Sequence, residues 1–292
     1  MGSVSNNLSP IVSSNSLSHS GSHFSSITNF NSQYENGLFI CSFNVNRLIT
    51  HFNQVQYEIE QNNYDIVAIC ETFLRADIPD SVISIDGYEI LRSDRKNRDG
   101  GGVILYFKKS ITARILSTSA DIHNYPSDFL IVDFQLKSEK LLFAIMYRPP
   151  RIEHPLQFFK DLERFLPSFR HAVITGDFNA DMSYINFYSD PIFDFIAQNS
   201  LYLVPSELTC HTYHTDTHTW LDIFITTCPQ AVIKFNKSTA PLYEKHDTIE
   251  LTFNLMKPKI DRVVHRVRNF STINDAELNN FIGNSFVPSA LP

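Results

Sequence analysis

The stretch Ala172-Val173-Ile174-Thr175-Gly176-Asp177-Phe178-Asn179 joins a short apolar run to a glycine, a carboxylate and a carboxamide. Alternate residues of an extended chain point to the same side, so we expect Asp177 and Asn179 to face one pocket. A carboxylate beside a carboxamide suits a hard, oxygen-binding metal ion and a phosphate better than it suits a hydrophobic core. The stretch therefore predicts a buried strand that ends at a chemical site.

Similar strand-like runs recur on both sides of this stretch, and helix-spaced apolar residues separate some of them. The predicted strands cover residues 38–43, 65–70, 103–107, 129–134, 141–146, 172–175, 221–226, 231–235 and 248–253. Helical spacing is found around residues 52–59, 158–166 and 192–196. Strands with interspersed helices, and hairpin-like successions between residues 102 and 135, indicate an α/β fold whose mixed sheets are covered by helices.

The two ends of the chain differ in composition from its middle. Residues 1–37 are rich in Ser and Asn with scattered apolar residues, which predicts a disordered tail. Residues 38–255 contain all of the predicted strands and form the predicted domain. Residues 256–292 begin with a basic segment and continue into a weak helix at 274–282, a pattern that indicates a linker.

Composition narrows the class of protein. A chain of 292 residues, 43% hydrophobic and 13% aromatic, can bury one large α/β core. The formal net charge of -7 argues against a generally basic nucleic-acid-binding surface but is compatible with a local basic rim. Four widely spaced cysteines are typical of a reducing compartment. Without an 18-residue apolar stretch or a hydrophobic signal sequence, we expect an intracellular protein, nuclear or cytoplasmic, with no membrane partner.

Polar residues follow or interrupt several of the predicted strands. Asn44 and Glu71 follow the first two, Tyr147 follows the run 141–146, Asp222 lies inside the run 221–226, and His246 precedes the last strand. Each of them alone has a structural explanation, such as a turn for Asn44 or a surface position for His246. Because sites in open α/β sheets collect at the carboxyl ends of strands, their shared position favours a Mg²⁺-assisted phosphodiester hydrolase.

Five motifs in this order carry a family resemblance: Ser42-Phe43-Asn44-Val45-Asn46, Ile69-Cys70-Glu71-Thr72, Met146-Tyr147-Arg148-Pro149, Gly176-Asp177-Phe178-Asn179 and Leu221-Asp222-Ile223. They resemble those of the endonuclease/exonuclease/phosphatase superfamily. The stretch ETFLRADIPDSVISIDGYEILRSDRKNRDGGGVILYF, residues 71–107, is similar to the endonuclease domain of non-LTR (LINE-type, Jockey-like) retrotransposons, and the resemblance covers about residues 38–255. It implies a four-layered α/β sandwich, with two mixed β-sheets packed face to face and helices outside.

The resemblance also implies a role for each polar residue at the strand ends. Glu71 and Asn44 would bind Mg²⁺, with Mn²⁺ as an alternative ion. Asp177 would orient or deprotonate the attacking water. Asn179 and Tyr147 would hold the phosphate, His246 would stabilise its developing charge, and Asp222 would lie near the metal or pair with a histidine.

The implied partner is double-stranded DNA, nicked in one strand to leave a 3′-hydroxyl that primes reverse transcription. Thr209, Arg148 and Arg95 are the residues that we expect to contact DNA, Arg95 because it lies in the basic, glycine-rich loop 92–102. A solvated hairpin turn explains that loop nearly as well. The basic segment after Met256 resembles one that leads to a reverse transcriptase, which implies retrotransposon RNA as a partner through that domain. The oligomeric state stays open.

One departure from the family pattern concerns the last motif. The family usually has Ser-Asp-His where this chain has Glu244-Lys245-His246-Asp247. Lys245 would take the place of a carboxylate that orients the histidine, and like-charge repulsion would oppose protonation of His246. Two alternatives therefore stay open: an impaired or repurposed remnant of such an endonuclease, and a superfamily phosphatase that acts on a lipid or inositol phosphate.

The run from Cys210 to His218 contains zinc-ligand residue types, but its spacing matches no common zinc pattern. We interpret it as a Thr-rich hairpin that enters the strand of Asp222, in preference to a structural zinc site.

Overall fold

The computed structural model describes residues 37–95, 100–122, 125–152, 154–212, 217–238, 245–258 and 279. The predicted tail before Gly37, nearly all of the basic segment and all but one residue of the predicted helix at 274–282 lie outside these ranges. So do residues 96–99 of the basic, glycine-rich loop.

The described chain forms fourteen strands, three α-helices and four short 3₁₀ helices. In chain order the strands are β1 (Leu38–Asn44), β2 (Ile66–Cys70), β3 (Tyr88–Ser93), β4 (Val103–Lys108), β5 (Thr112–Thr118), β6 (Asp128–Gln135), β7 (Lys140–Tyr147), β8 (His171–Asp177), β9 (Tyr202–Leu203), β10 (Cys210–Thr212), β11 (Thr217–Thr219), β12 (Asp222–Thr226), β13 (Val232–Ser238) and β14 (Thr248–Phe253). The α-helices are α1 (Leu48–Asn62), α2 (Leu156–Phe165) and α3 (Asp190–Gln198). The 3₁₀ helices span Asp80–Ile83, Ser119–Asp121, Leu166–Ser168 and Pro229–Ala231.

Twelve of the strands form two mixed six-stranded sheets. The first has the order β13-β14-β1-β2-β4-β3 and the second the order β5-β6-β7-β8-β12-β9. Within each sheet one pair is parallel, β1 with β2 and β7 with β8, and the other pairs are antiparallel. The expected mixed-sheet architecture is confirmed.

Three hydrophobic clusters separate the layers. One lies between the sheets and includes Ile66 and Leu105 of the first sheet and Leu130 and Phe143 of the second. A second cluster packs the other face of the second sheet against α2 and α3, and a third packs the first sheet against α1. The layers are therefore helix, sheet, sheet and helix, which is the predicted four-layered α/β sandwich.

The apolar composition of the central strands explains why they are buried. β8 is buried along its whole length, and β7 is buried beyond Lys140, because each has a sheet neighbour on both sides and apolar layers on both faces. The helix α1 buries Leu48, Val55 and Ile59 on one face and ends at Asn62. The next residue, Asn63, has a left-handed backbone conformation, and its N–H donates to the carbonyl of Ile59.

The described part of the chain contains no helix that is both long and apolar enough to cross a membrane.

Candidate active site

The predicted site residues lie at one end of the two sheets. Asn44 ends β1, Glu71 follows β2, and Tyr147 and Asp177 end the parallel neighbours β7 and β8. Asp222 starts the antiparallel strand β12 and pairs in register with Asp177. The strand topology therefore brings these side chains together from positions far apart in the sequence.

A buried amide joins two carboxylates at the centre of the site. Asn44 Nδ2 donates to Glu71 Oε1 at 2.9 Å and to Asp177 Oδ2 at 3.0 Å. The backbone N–H of Asn179 donates to Asp177 Oδ1 at 2.9 Å. Both oxygens of Asp177 are therefore held, and its carboxylate has a fixed orientation.

The backbone around these residues adopts uncommon conformations. Gly176 has a φ of 132°, and a Cβ atom at this position would overlap the carbonyl oxygen of Met146 on the neighbouring strand. Glu71 and Asn179 have positive φ angles of 54° and 44°. Non-glycine residues with such angles are uncommon and concentrate at functional sites. The glycine of the 172–179 stretch is therefore required by the close approach of β7.

Asp222 supplies the carboxylate that orients His246. Asp222 Oδ2 lies 2.9 Å from His246 Nδ1, so a proton on Nδ1 is donated to it, while His246 Nε2 lies 4.0 Å from Asp177 Oδ2. Two roles were expected for Asp222, a position near the metal or a pairing with a histidine. The structure shows the pairing, with His246. Lys245, in contrast, is exposed. The concern that Lys245 deprives His246 of an orienting carboxylate is therefore wrong, because that carboxylate comes from β12.

The crowding of charges changes the acidity of both groups. Burial, followed by repulsion from Asp222, raises the pKa of Asp177 from 3.8 to about 7, although His246 and the Asn179 N–H act in the opposite direction. Burial alone would lower the pKa of His246, but the charge and hydrogen bond of Asp222 raise it well above its usual value. The site thus holds a carboxylate that titrates near neutral pH beside a histidine that favours its charged form.

Tyr147 lies beside the carboxylates with its phenol protonated. Its pKa is raised by burial and by the negative charges of Glu71 and Asp177. The Arg95 guanidinium lies 5.7 Å from the centre of the Tyr147 ring and forms an ion pair with Asp128. Tyr147 is therefore a hydrogen-bond donor at neutral pH, and Glu71 is its hydrogen-bond partner in this structure.

Three residues expected to contact DNA have protein partners in this structure. Arg148 is fully buried and donates to the backbone carbonyls of Phe178, Asn179 and Ile152 at 2.6 to 2.7 Å. Arg95 has a side chain only 11% exposed and is bound to Asp128.

Thr209 is also buried, and its Oγ1 accepts the N–H groups of Leu221 and Asp222 at 3.1 and 3.0 Å. The expectation that Arg148 and Thr209 touch DNA directly is corrected: their burial leaves them as positioning residues, for the turn at Asn179 and for Asp222. Arg95 is paired with Asp128 in this structure, and its contact with DNA stays a prediction.

Sequence reasoning missed two neighbours of the site. Asp128, which holds Arg95 and accepts the N–H of Gly102 at 3.0 Å, is signalled only by a carboxylate at the start of the apolar strand β6. Cys210 Sγ lies 3.7 Å from His246 Nε2, and these two residues form an isolated β-bridge. The segment of Cys210 pairs β10 with β11, as predicted for a Thr-rich hairpin, although residues 213–216 lie outside the described ranges.

The residues present fit a hard divalent cation. Three carboxylates converge here, those of Glu71, Asp177 and Asp222, and carboxylate and amide oxygens are the ligands that Mg²⁺ prefers. Among the described residues, Asp177, Asp222 and His246 form a group whose potential ligand atoms all lie within 4.8 Å of one another. Since His246 is already engaged by Asp222, Glu71 with Asn44 is the better-suited pair for such an ion.

Comparisons with known proteins concern the family and the fold of the chain. The model of the Endonuclease/Exonuclease/phosphatase family matches residues 41–274. The endonuclease domain of TRAS1, a telomere-specific non-LTR retrotransposon, has a similar structure, with a TM-score of 0.60 at 12% identity over 75% of this chain and 99% of that one. The 3′ phosphatase NExo from Neisseria has a TM-score of 0.56 at 16% identity, over 75% of this chain and 100% of that one.

An AP endonuclease from Archaeoglobus fulgidus has a TM-score of 0.55 at 17% identity, over 75% of this chain and 100% of that one. At these identities the structural likeness establishes a common fold. No curated protein matches the sequence.

Proposed function

Since the chain belongs to the Endonuclease/Exonuclease/phosphatase family, whose members are phosphodiester hydrolases, we propose that it is a Mg²⁺-dependent DNA endonuclease of a non-LTR retrotransposon. It nicks one strand of double-stranded DNA and leaves a 3′-hydroxyl that primes reverse transcription. The observation that carries the proposal is the joint position of Asn44, Glu71, Asp177 and the Asp222–His246 pair at one end of the two sheets.

Asp177 is the general base for the attacking water. Its pKa of about 7 lets it accept a proton at neutral pH, and a base is most effective when its pKa lies near the working pH. The hydrogen bonds from Asn44 and the Asn179 N–H hold its two oxygens, so the orientation of the base is set before substrate arrives.

His246 supplies the positive charge that faces the phosphate. His246 is held by Asp222 with Nε2 directed towards Asp177 Oδ2 at 4.0 Å, and its raised pKa favours the imidazolium, which stabilises negative charge on the phosphate in the transition state. The protonated phenol of Tyr147 donates a hydrogen bond to a non-bridging oxygen. So does the second N–H of the Asn179 carboxamide, whose first is donated to the Arg148 carbonyl at 2.8 Å. A divalent cation bound by Glu71 and Asn44 would supply further charge stabilisation to the phosphate.

Two of the structural neighbours support DNA as the substrate. One is the endonuclease domain of a retrotransposon, and the other is the NExo phosphatase in complex with a product DNA hairpin. The orientation of His246 by Asp222 favours an active enzyme over the impaired-remnant alternative. Release of phosphate from a lipid or inositol phosphate, with no cleavage of DNA, would instead support the phosphatase alternative.

The test is nicking of a supercoiled plasmid by the purified chain, in Mg²⁺ and in EDTA. We expect conversion to the open circle only with Mg²⁺, and loss of conversion in Asp177→Asn and Glu71→Gln. Asp194→Asn is the matched control, because Asp194 is an exposed carboxylate on α3 and its loss removes the same charge away from the site. Equal nicking by Asp177→Asn and Asp194→Asn would contradict the proposal.

A further inference from the structure

The connection from β1 to α1 carries an exposed arginine on a strained backbone. Arg47 has a φ of 89°, in the region that favours glycine, and it lies directly before the first residue of α1. Its side chain makes no capping hydrogen bond to the helix, although Ser, Thr, Asp and Asn are the residues that stabilise this position. An arginine therefore stabilises neither the turn nor the helix here, and strained residues of this kind concentrate at functional sites.

The backbone of Arg47 is bound to the strand end that is proposed to hold the cation. The Arg47 N–H donates to the carbonyl of Glu71 at 2.9 Å, and the Leu48 N–H donates to the carbonyl of Thr72 at 2.9 Å. Asn44, whose amide donates to the Glu71 carboxylate, lies only three residues before Arg47. The arginine is therefore fixed at the rim of the candidate active site.

A phenylalanine ring holds the guanidinium of Arg47 in place. The guanidinium carbon lies 4.5 Å from the centre of the Phe73 ring. Phe73 is fixed in turn, since its N–H donates to the carbonyl of Gly101 at 2.8 Å and its ring lies close to Gly100. A guanidinium stacked on an aromatic ring can still donate from its edge, in the fork geometry that binds a phosphate with two hydrogen bonds.

Two other arginines near the site are engaged within the protein. Arg148 is buried and donates to backbone carbonyls, and Arg95 is paired with Asp128. Arg47 is exposed, and among the residues that the structure describes no carboxylate forms an ion pair with it. Three carboxylates converge in the site of a chain whose net charge is -7, so a polyanionic strand needs positive charge at the rim. Arg47 is placed to supply it.

We propose that Arg47 binds a backbone phosphate of the DNA strand that is nicked, next to the phosphate that is cut. This inference rests on the proposed function, because it needs a DNA strand in the active site. The stacked guanidinium donates two parallel hydrogen bonds to the phosphate oxygens, whichever base is attached. Arg47 thus sets the register of the strand over the site and contributes affinity, but it takes no part in breaking the bond.

Binding of a DNA duplex in Ca²⁺, used in place of Mg²⁺ so that the strand stays uncut, tests the contact. Arg47→Met removes the charge but keeps a long side chain, and Arg47→Lys keeps the charge but loses the fork. We expect Arg47→Met to raise Kd about tenfold at low salt, and to reduce the slope of log Kd against log salt concentration by about one, the share of one phosphate contact. Arg47→Lys should keep the salt slope of the parent and have an intermediate Kd.

Neutral methylphosphonates identify which phosphate Arg47 binds. Each duplex carries one methylphosphonate near a mapped nick site, and Kd is measured for the parent and for Arg47→Met. One position next to the scissile phosphate should weaken binding by the parent about tenfold and leave binding by Arg47→Met unchanged, because the variant has already lost that contact. At the other positions the effects of the methylphosphonate and of the substitution should add.

Two further variants serve as controls. Arg164 is also exposed and lies 4.3 Å from the centre of the Phe165 ring, but in the last turn of α2, before the start of the strand whose other end carries Asp177. Arg164→Met should therefore bind and nick like the parent. Arg47→Gly should bind as weakly as Arg47→Met without a lower melting temperature, since glycine adopts a φ of 89° without strain. That result would separate DNA binding from folding.

The outcomes separate the two proposals. If the parent nicks and Arg47→Met keeps the Kd and the salt slope of the parent, the role of Arg47 is overturned while the nuclease stands. An equal loss of affinity in Arg164→Met, or a loss in Arg47→Met that adds to that of every methylphosphonate, would also overturn it. A parent that nicks no plasmid overturns the proposed function, and the role of Arg47 falls with it.

Discussion

Asp177→Asn is expected to abolish nicking and, in the same variant, to stabilise the metal-free protein at alkaline pH. Asp177 is 1% exposed and shares its site with the carboxylates of Asp222 and Glu71. Its folded-state pKa of about 7 lies above the usual value of 3.8, so the folded protein binds this proton more tightly than the unfolded chain does. The stability linked to that proton is fully present below about pH 4 and is lost as the pH rises through 7.

The pKa of Asp177 determines how much the substitution changes the free energy of unfolding. A tenfold change in proton affinity is worth about 1.4 kcal/mol, so the ionised carboxylate costs about 4 kcal/mol well above pH 7 and about 1 to 2 kcal/mol at pH 5. The asparagine removes this cost but loses the hydrogen bond from Asn44 Nδ2, which is worth about 1 kcal/mol at either pH. Comparing two pH values cancels the hydrogen-bond loss and leaves a gain of about 2 to 3 kcal/mol for the variant at pH 8 relative to pH 5.

The assay is urea unfolding of parent and variant in EDTA at pH 5 and pH 8. Asp177 also raises the pKa of His246, so part of the pH-dependent difference between the two proteins comes from the Asp177–His246 pair. Asp194→Asn, on the exposed side of α3, should track the parent at both pH values. A variant whose advantage over the parent is the same at pH 5 and pH 8 would refute the claim that the pKa of Asp177 is raised in the folded protein.

Three further substitutions test other parts of the site. Gly176→Ala should lower the free energy of unfolding by about 3 kcal/mol or more, measured by urea unfolding, because its Cβ would overlap the Met146 carbonyl at a φ of 132°. Asp222→Asn should lower the pKa of His246, read from its ring resonances by NMR, and reduce nicking about 10²-fold or more; an unchanged pKa would contradict the pairing of these two residues. Arg148→Met should reduce nicking strongly without weakening DNA binding measured in Ca²⁺, since its hydrogen bonds go to backbone carbonyls; a loss of DNA affinity alone would restore the direct DNA contact predicted from sequence.

The parts of the fold that the sequence predicts well are its central strands. β7 and β8 are continuous apolar runs because both of their faces are covered. The strands β3 and β5 were harder to predict, since both lie at sheet edges and are only partly buried, without a continuous apolar run or a clean alternation. The two-residue strand β9 carries too little pattern to be recognised.

The site shows the same division between local and long-range information. The positions of Asn44, Glu71 and Asp177 at strand ends can be predicted from local pattern, because parallel neighbours have their carboxyl ends at the same end of a sheet. The partner of His246 cannot be predicted from local pattern. Asp222 reaches His246 only because β12 pairs with β8. Residue type alone also does not show whether a charged side chain already has a partner within the protein. Arg148 was therefore expected at the DNA surface, whereas the structure buries it.

The central claim is that the site at this end of the two sheets hydrolyses a phosphodiester bond in DNA and leaves a 3′-hydroxyl. The most direct measurement is to incubate supercoiled plasmid with the chain and Mg²⁺, and then to add a DNA polymerase with labelled nucleotides and no phosphatase. We predict label incorporated into the nicked circle by the parent and by Asp194→Asn, and none with Asp177→Asn or with EDTA during the first step. Nicked circles that the polymerase cannot extend, or label of equal intensity with Asp177→Asn, would contradict the account.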